Sequence, residues 1–380
     1  MSKTVCMLSS AHSPLDIRIY HKESKTLTEA GYEVTLIVPS AEYVNSNGIR
    51  LLRIPPENNR FLRMTRSVWQ VYKLARREAA AIYHLHDPEL IPVGLLLSAS
   101  GRRVVYDAHE DLPKDVLEKP WIPRKLRSFI SILADAFESA ACRCFAAVVT
   151  ADEKISERLN YTRKHPITLN NYPLASEFKG SNAFYESGSV SNVLVSFGGL
   201  HIFRGAHPMV DALGLLPERL PVKLVLGGSS ESPLLYQELS TKLGWRRIDY
   251  RGQLTRSQML SELSHSFAAI VLFGRALNTD SVRSNRLYEA LAAGVPVITP
   301  NFGDWKPFVE GNRCGLTVNP EDPQEIAGAI QWLFSHPEEA AEMGKNGREL
   351  FLREFNWERE GEKLVTLYTL LTNGSVPTRI

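Results

Sequence analysis

From its first residues the chain alternates short apolar runs with longer stretches of helical spacing, and it does so twice. In the first half TVCML (4–8), EVTLIV (33–38), IRLLRI (49–54), AIYHLH (81–86), RVVYDAH (103–109), AAVVT (146–150) and PITLN (166–170) have the length and residue content of buried strands. Residues 19–30, 64–80, 88–99, 123–145 and 152–160 predict helices between them. Such alternation joins strands in parallel, because each helix carries the chain back to the edge where the last strand began. The pattern stops in SEFKGSNAFYESGSVSN (176–192), which is rich in Ser, Gly and Asn and reads as a linker. It restarts with VLVSF (193–197), KLVLG (223–227), DYRG (249–252), AAIVLF (268–273), VPVIT (295–299) and GLTV (315–318).

A chain of 380 residues is long enough for two cores. The expected fold class is therefore α/β, with two Rossmann-like, doubly wound parallel-sheet domains facing a central cleft. The domains are expected at 1–175 and 190–357. A ligand is expected at the carboxyl ends of the strands, where open sheets bind.

Composition narrows the function. Lys+Arg 44 against Asp+Glu 42 leaves a formal charge of +2, which does not argue for nucleic acid as partner. Cys6, Cys142, Cys144 and Cys314 form neither a disulfide framework nor a common zinc spacing, and read as reduced thiols of a cytoplasmic protein. No signal peptide and no run near 20 apolar residues is seen.

Six segments can carry chemistry. The most informative is SNRLYEALAAGVPVITPNFGDW (284–305), a short helix followed at once by a strand. Ser284 is expected to cap the helix, Gly294 to end it in the left-handed conformation, and Leu287 and Leu291 to face a core. The helix N-terminus at Asn285 suits a diphosphate, and a carboxylate at Glu289 can accept two bonds from a vicinal diol. Arg286 and Glu289 share a helix face; a solvated ion pair is the plain alternative. In SFGGLHIFRGAHPMVDAL (196–213), Gly198 and Gly199 allow close backbone approach and Arg204 can hold a phosphate by two bonds. LVLGGSSE (224–231) brings Gly227 and Gly228 to a strand end. VVYDAHED (104–111) delivers His109, Glu110 and Asp111 to another. The polar loop SSAHSPLDIRIYHKE (9–23) offers His12, Asp16 and Arg18, and HLHDPEL (84–90) offers His86 and Asp87.

Segment 284–305 resembles the donor-site signature of the retaining, nucleotide-sugar-dependent glycosyltransferases of the GT-B fold, family 4 (glycosyltransferase group 1), and the resemblance extends over nearly the whole chain. It implies that Glu289 is the second glutamate of that signature. The first falls on Ser281, so Asp280, Ser281 or backbone groups take its place beside the transferred sugar. It implies that Arg204 and Arg286 are the cationic diphosphate contacts, with His201 standing in for an arginine that is Gly199 here. In YRGQLTRSQM (250–259) it implies a base site at Arg251, Gly252, Gln253 and Leu254. Asn285, Leu287, Gly198, Gly199, Gly227 and Gly228 join the donor site. His109 is implied to contact the donor sugar, which makes His109, Arg204 and Glu289 the catalytic candidates. His12, Asp16, Arg18, Asp87, Glu110 and Asp111 are acceptor-side candidates. The last helix, 358–380, is implied to complete the first domain.

The activity implied is sugar transfer from a nucleotide-diphosphate sugar to a hydroxyl of a glycan, lipid-linked or small-molecule acceptor, with retention, in cell-surface polysaccharide or glycoconjugate synthesis. No Asp-x-Asp occurs, so no metal and no other cofactor is expected. A nucleotide-sugar 2-epimerase of the same architecture and a non-catalytic nucleotide-sugar or membrane-binding subunit are the alternatives. RFLRMTRSVWQVYKLARR (60–77) has six basic and no acidic side chains among apolar ones, and KPWIPRKLRSFI (119–130) adds more. Both suit the anionic cytoplasmic face of a membrane, although a helix packed on the sheet with a solvated basic face reads equally well. The aromatics of 60–77 are expected mostly to serve the core.

Overall fold

The structure is a computed structural model and describes residues 3–40, 48–119, 121–160, 165–179, 191–275 and 284–374. It divides into two compact units, residues 1–171 with 357–380, and 172–356.

The first unit carries a parallel seven-stranded sheet in the order β3-β2-β1-β4-β5-β6-β7. The strands are β1 (Thr4–Leu8), β2 (Glu33–Pro39), β3 (Arg50–Ile54), β4 (Ile82–Leu85), β5 (Arg103–Ala108), β6 (Ala147–Thr150) and β7 (Ile167–Thr168). The second has a parallel six-stranded sheet in the order β10-β9-β8-β11-β12-β13. Its strands are β8 (Val193–Ser196), β9 (Lys223–Gly227), β10 (Ile248–Gly252), β11 (Ala268–Ile270), β12 (Val297–Pro300) and β13 (Gly315–Val318). In each sheet the winding reverses beside the first strand, between β1 and β4 and between β8 and β11. Loops leaving neighbouring strands diverge at such a point and open a crevice.

The apolar runs form strands because both faces of each sheet are covered by helices. The core of the first unit gathers Cys6, Leu8, Val71, Leu85, Ile91, Tyr106 and Phe145. That of the second gathers Leu194, Met209, Leu213, Leu224, Ile298 and Ile330 on one face and Leu287, Leu291, Trp305 and Phe351 on the other. The helix Trp357–Thr372 docks in the first unit, where Trp357 Nε1 donates to Thr26 Oγ1 (2.9 Å) and the Tyr368 hydroxyl meets His84 Nδ1 (2.8 Å).

Several expectations are corrected. Residues 172–175, expected in the first domain, and 176–179, expected in the linker, belong to the second unit, where Phe178 is buried in the core and Tyr172 packs against Tyr288 and Phe355. Residues 112–118, to which the sequence assigned no element, form a helix that packs on the helix Arg124–Cys142. Ser284 makes no side-chain cap, and its Oγ is buried with no partner among the described residues. Gly294 does take the left-handed conformation (φ 72°). Phe61 and Trp69 are exposed rather than in the core. Around them Ser67, Val71 and Ala75 are buried, while Val68, Tyr72 and Leu74 pack partly on the core. The four cysteines are free thiols. Among the described residues no helix is long and apolar enough to cross a membrane.

Candidate active site

The candidate residues of the second unit collect at the carboxyl ends of β8, β9 and β10. Gly199, in the left-handed region (φ 68°), donates its N–H to the Gly227 carbonyl (2.9 Å). The two glycine turns are pressed together: a Cβ on Gly199 would run into the Ser229 carbonyl, and one on Gly228 would lie 2.6 Å from Gly199 N. Leu254 covers Gly227.

Two guanidinium groups meet at Gly198. Arg204 Nη1 donates to the Gly198 carbonyl, and a Cβ on Gly198 would run into Arg286 Nη1. Gly198 therefore makes room for Arg286, which also lies over the Phe273 ring (5.5 Å). Burial and the neighbouring Arg204 lower the Arg286 pKa to about 10, and burial lowers that of Arg204. Two cations held this close at one end of the helix Asn285–Ala293 have the charge and spacing to attract a multiply charged anion. His201 begins the turn Ile202–Arg204, and burial and Arg204 lower its pKa.

The ion-pair partner shown for Glu289 is Arg256. Glu289 takes a bond from Arg256 Nη1, while Arg256 Nη2 reaches Glu177 (2.6 Å) and the guanidinium lies on Phe178 (5.7 Å). Arg256 went unnamed among the candidates, although it opens the helix that follows the base-site loop. Arg251 is engaged by Asp249 on its own strand (2.7 Å), and Gln253 and Asn285 are exposed. Leu287 is wholly buried, so its side chain serves packing and not a ligand. Asp280 and Ser281 lie outside the described residues.

In the first unit the candidates meet at the reversal point of the sheet, and two of them change role. Arg18 is buried, not a surface or acceptor contact. Its guanidinium binds both oxygens of Asp107 (Nη2 at 3.0 and 2.9 Å), Glu23 Oε1 (2.9 Å) and the Leu169 carbonyl (2.8 Å). The winding of Ile17–Ser24 makes this possible. It is bonded i→i+5, as in His21 N–H to the Asp16 carbonyl (3.1 Å), so residues five apart, Arg18 and Glu23, fall one turn apart. Asp16 caps that turn, its Oδ1 accepting from the N–H groups of Arg18 and Ile19 (2.8 and 2.9 Å). Asp87 is buried too. Its Oδ2 accepts from Ser10 N (2.6 Å), Ser9 Oγ (2.9 Å) and Ser10 Oγ (3.2 Å), and its Oδ1 lies 3.0 Å from His12 Nδ1. His109 Nε2 is 3.0 Å from Asp107 Oδ2 and 3.3 Å from His86 Nδ1. Glu110 is exposed, and Asp111 pairs with Lys114 (2.7 Å) and Arg158 (3.1 Å).

Burial and Asp107 raise the Glu23 pKa well above the ordinary carboxylate range, whereas at Asp107 burial is outweighed by Arg18 together with His109 and the bonds from His109 and His86, which hold its pKa well below that range. The proton is thereby favoured on Glu23 and the negative charge on Asp107. Burial lowers the His84 pKa and takes that of His86 to about 4. Ligand atoms of Glu23, His84, His86 and Asp107 lie within 4.8 Å of one another, a metal-like set that sequence reasoning missed. Arg18 already supplies the cation to both carboxylates of that set, so the residues fit a guanidinium better than a metal ion.

Two parallel, doubly wound units, one with paired arginines and a carboxylate around a glycine-lined strand edge, define a GT-B architecture. Sucrose-phosphate synthase from Thermosynechococcus elongatus superposes with TM-score 0.70 at 19% identity, over 98% of this chain and 100% of that one. HepE from Anabaena in complex with UDP-glucose gives 0.69 at 14%, over 96% and 99%. WaaG, a glycosyltransferase involved in lipopolysaccharide biosynthesis, gives 0.68 at 16%, over 96% and 99%. Residues 21–164 match the glycosyl transferase 4-like domain and residues 207–366 the glycosyl transferase-like family. The chain belongs to the group 1 glycosyltransferases of GT-B fold. It is 28% identical over 159 residues to D-rhamnosyltransferase WbpZ of Pseudomonas aeruginosa, covering 40% of each chain. It is 28% identical over 189 residues to D-inositol 3-phosphate glycosyltransferase of Corynebacterium urealyticum, covering 48% of this chain and 43% of that one. The matched stretch thus spans less than half the length of these curated relatives.

Proposed function

We propose that the protein transfers a sugar from a nucleotide-diphosphate sugar to a hydroxyl of a glycan, lipid-linked or small-molecule acceptor, with retention and without a metal ion, in the assembly of a cell-surface polysaccharide or glycoconjugate. The observation that carries this reading is the convergence of Arg204 and Arg286 on Gly198, at the start of a helix that also bears Glu289. Paired cations and free helix N–H groups stabilise the negative charge that a departing nucleoside diphosphate gathers. Glu289 takes the ribose hydroxyls, and the loop at 251–254 borders the base. His109, fixed through Nε2, presents its other ring nitrogen to the transferred sugar. The UDP-glucose complex of HepE supports a nucleotide sugar as donor.

A panel of nucleotide sugars tests the reading, with binding followed by calorimetry and products by NMR. Selective binding of one donor, with release of sugar and nucleoside diphosphate, is expected. An epimerised nucleotide sugar, or no binding, overturns it.

A second reading has its own support, an anionic membrane as the surface from which the first unit takes its acceptor. Leu126, Phe129, Leu133 and Phe137 recur at three- and four-residue spacing along the helix Arg124–Cys142 and are exposed. Arg60 lies 5.3 Å over the ring of exposed Trp121, so the two basic segments adjoin. An apolar helix face rimmed by arginines suits an anionic leaflet. The protein is expected to sediment with phosphatidylglycerol vesicles and not with phosphatidylcholine vesicles. The double variant Phe129→Ser/Leu133→Ser is expected to stay in the supernatant; equal sedimentation of both proteins would refute the assignment.

A further inference from the structure

The Glu289 carboxylate is held by an arginine whose own position is fixed from several sides. Thr255 caps the helix Arg256–Ser264: its Oγ1 accepts from the Gln258 N–H (3.3 Å), and Gln258 Oε1 accepts from the Thr255 N–H (2.9 Å). Arg256 is the first residue of that helix. Its two terminal nitrogens divide between two carboxylates, Nη1 donating to Glu289 Oε1 and Nη2 to Glu177 Oε2 (2.6 Å). The guanidinium also lies 5.7 Å over the Phe178 ring. That ring is a firm base. Phe178 is buried, its ring meets that of Phe351 edge to face (6.2 Å), and its carbonyl accepts from Arg348 Nη2 (3.1 Å).

A planar fork held at both prongs and against a ring has one orientation. It passes that orientation to Glu289, whose side chain is only 12% exposed. Arg286 has a different place. It stands one turn earlier on the same helix and lies against Gly198 and over Phe273 (5.5 Å). Arg286 thus belongs to the anion end of the site and Arg256 to its carboxylate. A carboxylate offers about four acceptor positions on its two oxygens, so accepting from Arg256 at Oε1 is compatible with accepting from two vicinal hydroxyls. Every residue in this chain of contacts belongs to the second unit.

We propose that Arg256 is a positioning residue of the donor site, which turns the Glu289 carboxylate to the two ribose hydroxyls of a ribonucleoside diphosphate. This rests on the reading of Glu289 as the ribose contact given above. Arg256 acts through Glu289, and Glu177 acts through Arg256. The contribution of Arg256 to affinity therefore passes through the 2′ and 3′ hydroxyls and through no other part of the nucleotide.

Calorimetry on the full chain measures the affinity for UDP, GDP, ADP and CDP, and then for the 2′,3′-dideoxy form of whichever binds most tightly. The wild type is expected to bind the ribonucleotide about 100-fold more tightly than the dideoxy form, as two bonds to a charged group imply. Arg256→Met keeps an apolar stem on Phe178 and removes both prongs of the fork. It is expected to weaken the ribonucleotide about tenfold and to leave the dideoxy form within about twofold of the wild type. Arg256→Lys, which offers a point charge to one carboxylate at a time, is expected to recover part of the loss. Glu177→Gln is expected to act in the same direction as Arg256→Met and less strongly.

An unchanged dideoxy affinity shows that the base and phosphate contacts stand, so a folding fault cannot produce this pattern. Equal weakening of both nucleotides by Arg256→Met, or weakening of neither, overturns the positioning role. A wild type that binds both forms equally removes the ribose from Glu289 and leaves Arg256 no ribose contact to orient, although a nucleotide site remains. A wild type that binds no nucleotide overturns the transferase reading itself, and the role of Arg256 falls with it.

Discussion

Replacing Glu289 by alanine is expected to raise the KM for the donor by roughly 100-fold while changing kcat far less. A carboxylate that accepts bonds from two ribose hydroxyls contributes about 3 kcal/mol, and about 1.4 kcal/mol is a factor of ten. The ribose does not react, so its contacts act on ground state and transition state alike and appear in KM. The variant also leaves Arg256 with Glu177 as its remaining carboxylate partner. Glu289→Gln separates the two effects, because the amide keeps a hydrogen-bonding oxygen for the ribose and drops the charge that faces Arg256. Steady-state kinetics with the selected donor decides. A KM for the alanine variant within about twofold of wild type, well below the one factor of ten that a single bond is worth, would place the ribose elsewhere.

Acid is expected to loosen the first unit before the second. His84 and His86 are buried and neutral, and His86 has its pKa near 4 against an ordinary 6.5. Below pH 6.5 the unfolded chain takes up protons that the folded ring refuses, so stability falls as the pH drops towards 4. For His86 the loss amounts to roughly 3 kcal/mol. Asp107, with its pKa depressed chiefly by Arg18, adds a loss of the same sign at lower pH still, whereas Glu23 and His12, with raised pKa values, act in the opposite sense against the two histidines. Hydrogen exchange of peptides from β1, β4 and β5 should therefore quicken between pH 7 and 4.5, after correction for the intrinsic rate, with a smaller change in β8, β9 and β12. Arg18→Met should bring that loosening to neutral pH, because removing one member of a buried ion pair costs about 3–5 kcal/mol. Equal acid sensitivity of both sheets, or an Arg18→Met variant as protected as wild type, would contradict this account.

The fold was legible because its signal is local. Runs such as TVCML and KLVLG are strands wherever they are buried on both faces, and the sheet holds them at Thr4–Leu8 and Lys223–Gly227. Gly294 ends its helix in the left-handed conformation that the sequence implied. The cluster of glycines with Arg204 was legible for the same reason, since Gly198, Gly199 and Arg204 lie within seven residues.

What escaped the sequence depends on distance along the chain. Arg18 and Asp107 are 89 residues apart and Ser10 and Asp87 are 77 apart, so only the sheet order β2-β1-β4-β5 shows that these loops share one edge. Once they meet, a bare guanidinium or carboxylate cannot remain in the low dielectric of the interior. Arg18 and Asp87 are thereby turned from acceptor contacts into supports. The same applies to Arg256, whose partners Glu289 and Glu177 arrive from other helices. The sequence by itself determined the alternation of elements, the two cores and the glycine and arginine positions, because periodicity and turn chemistry act over a few residues. The tertiary structure alone decided which ionisable groups became partners, because charge pairing in a buried site depends on what the fold brings within hydrogen-bonding distance.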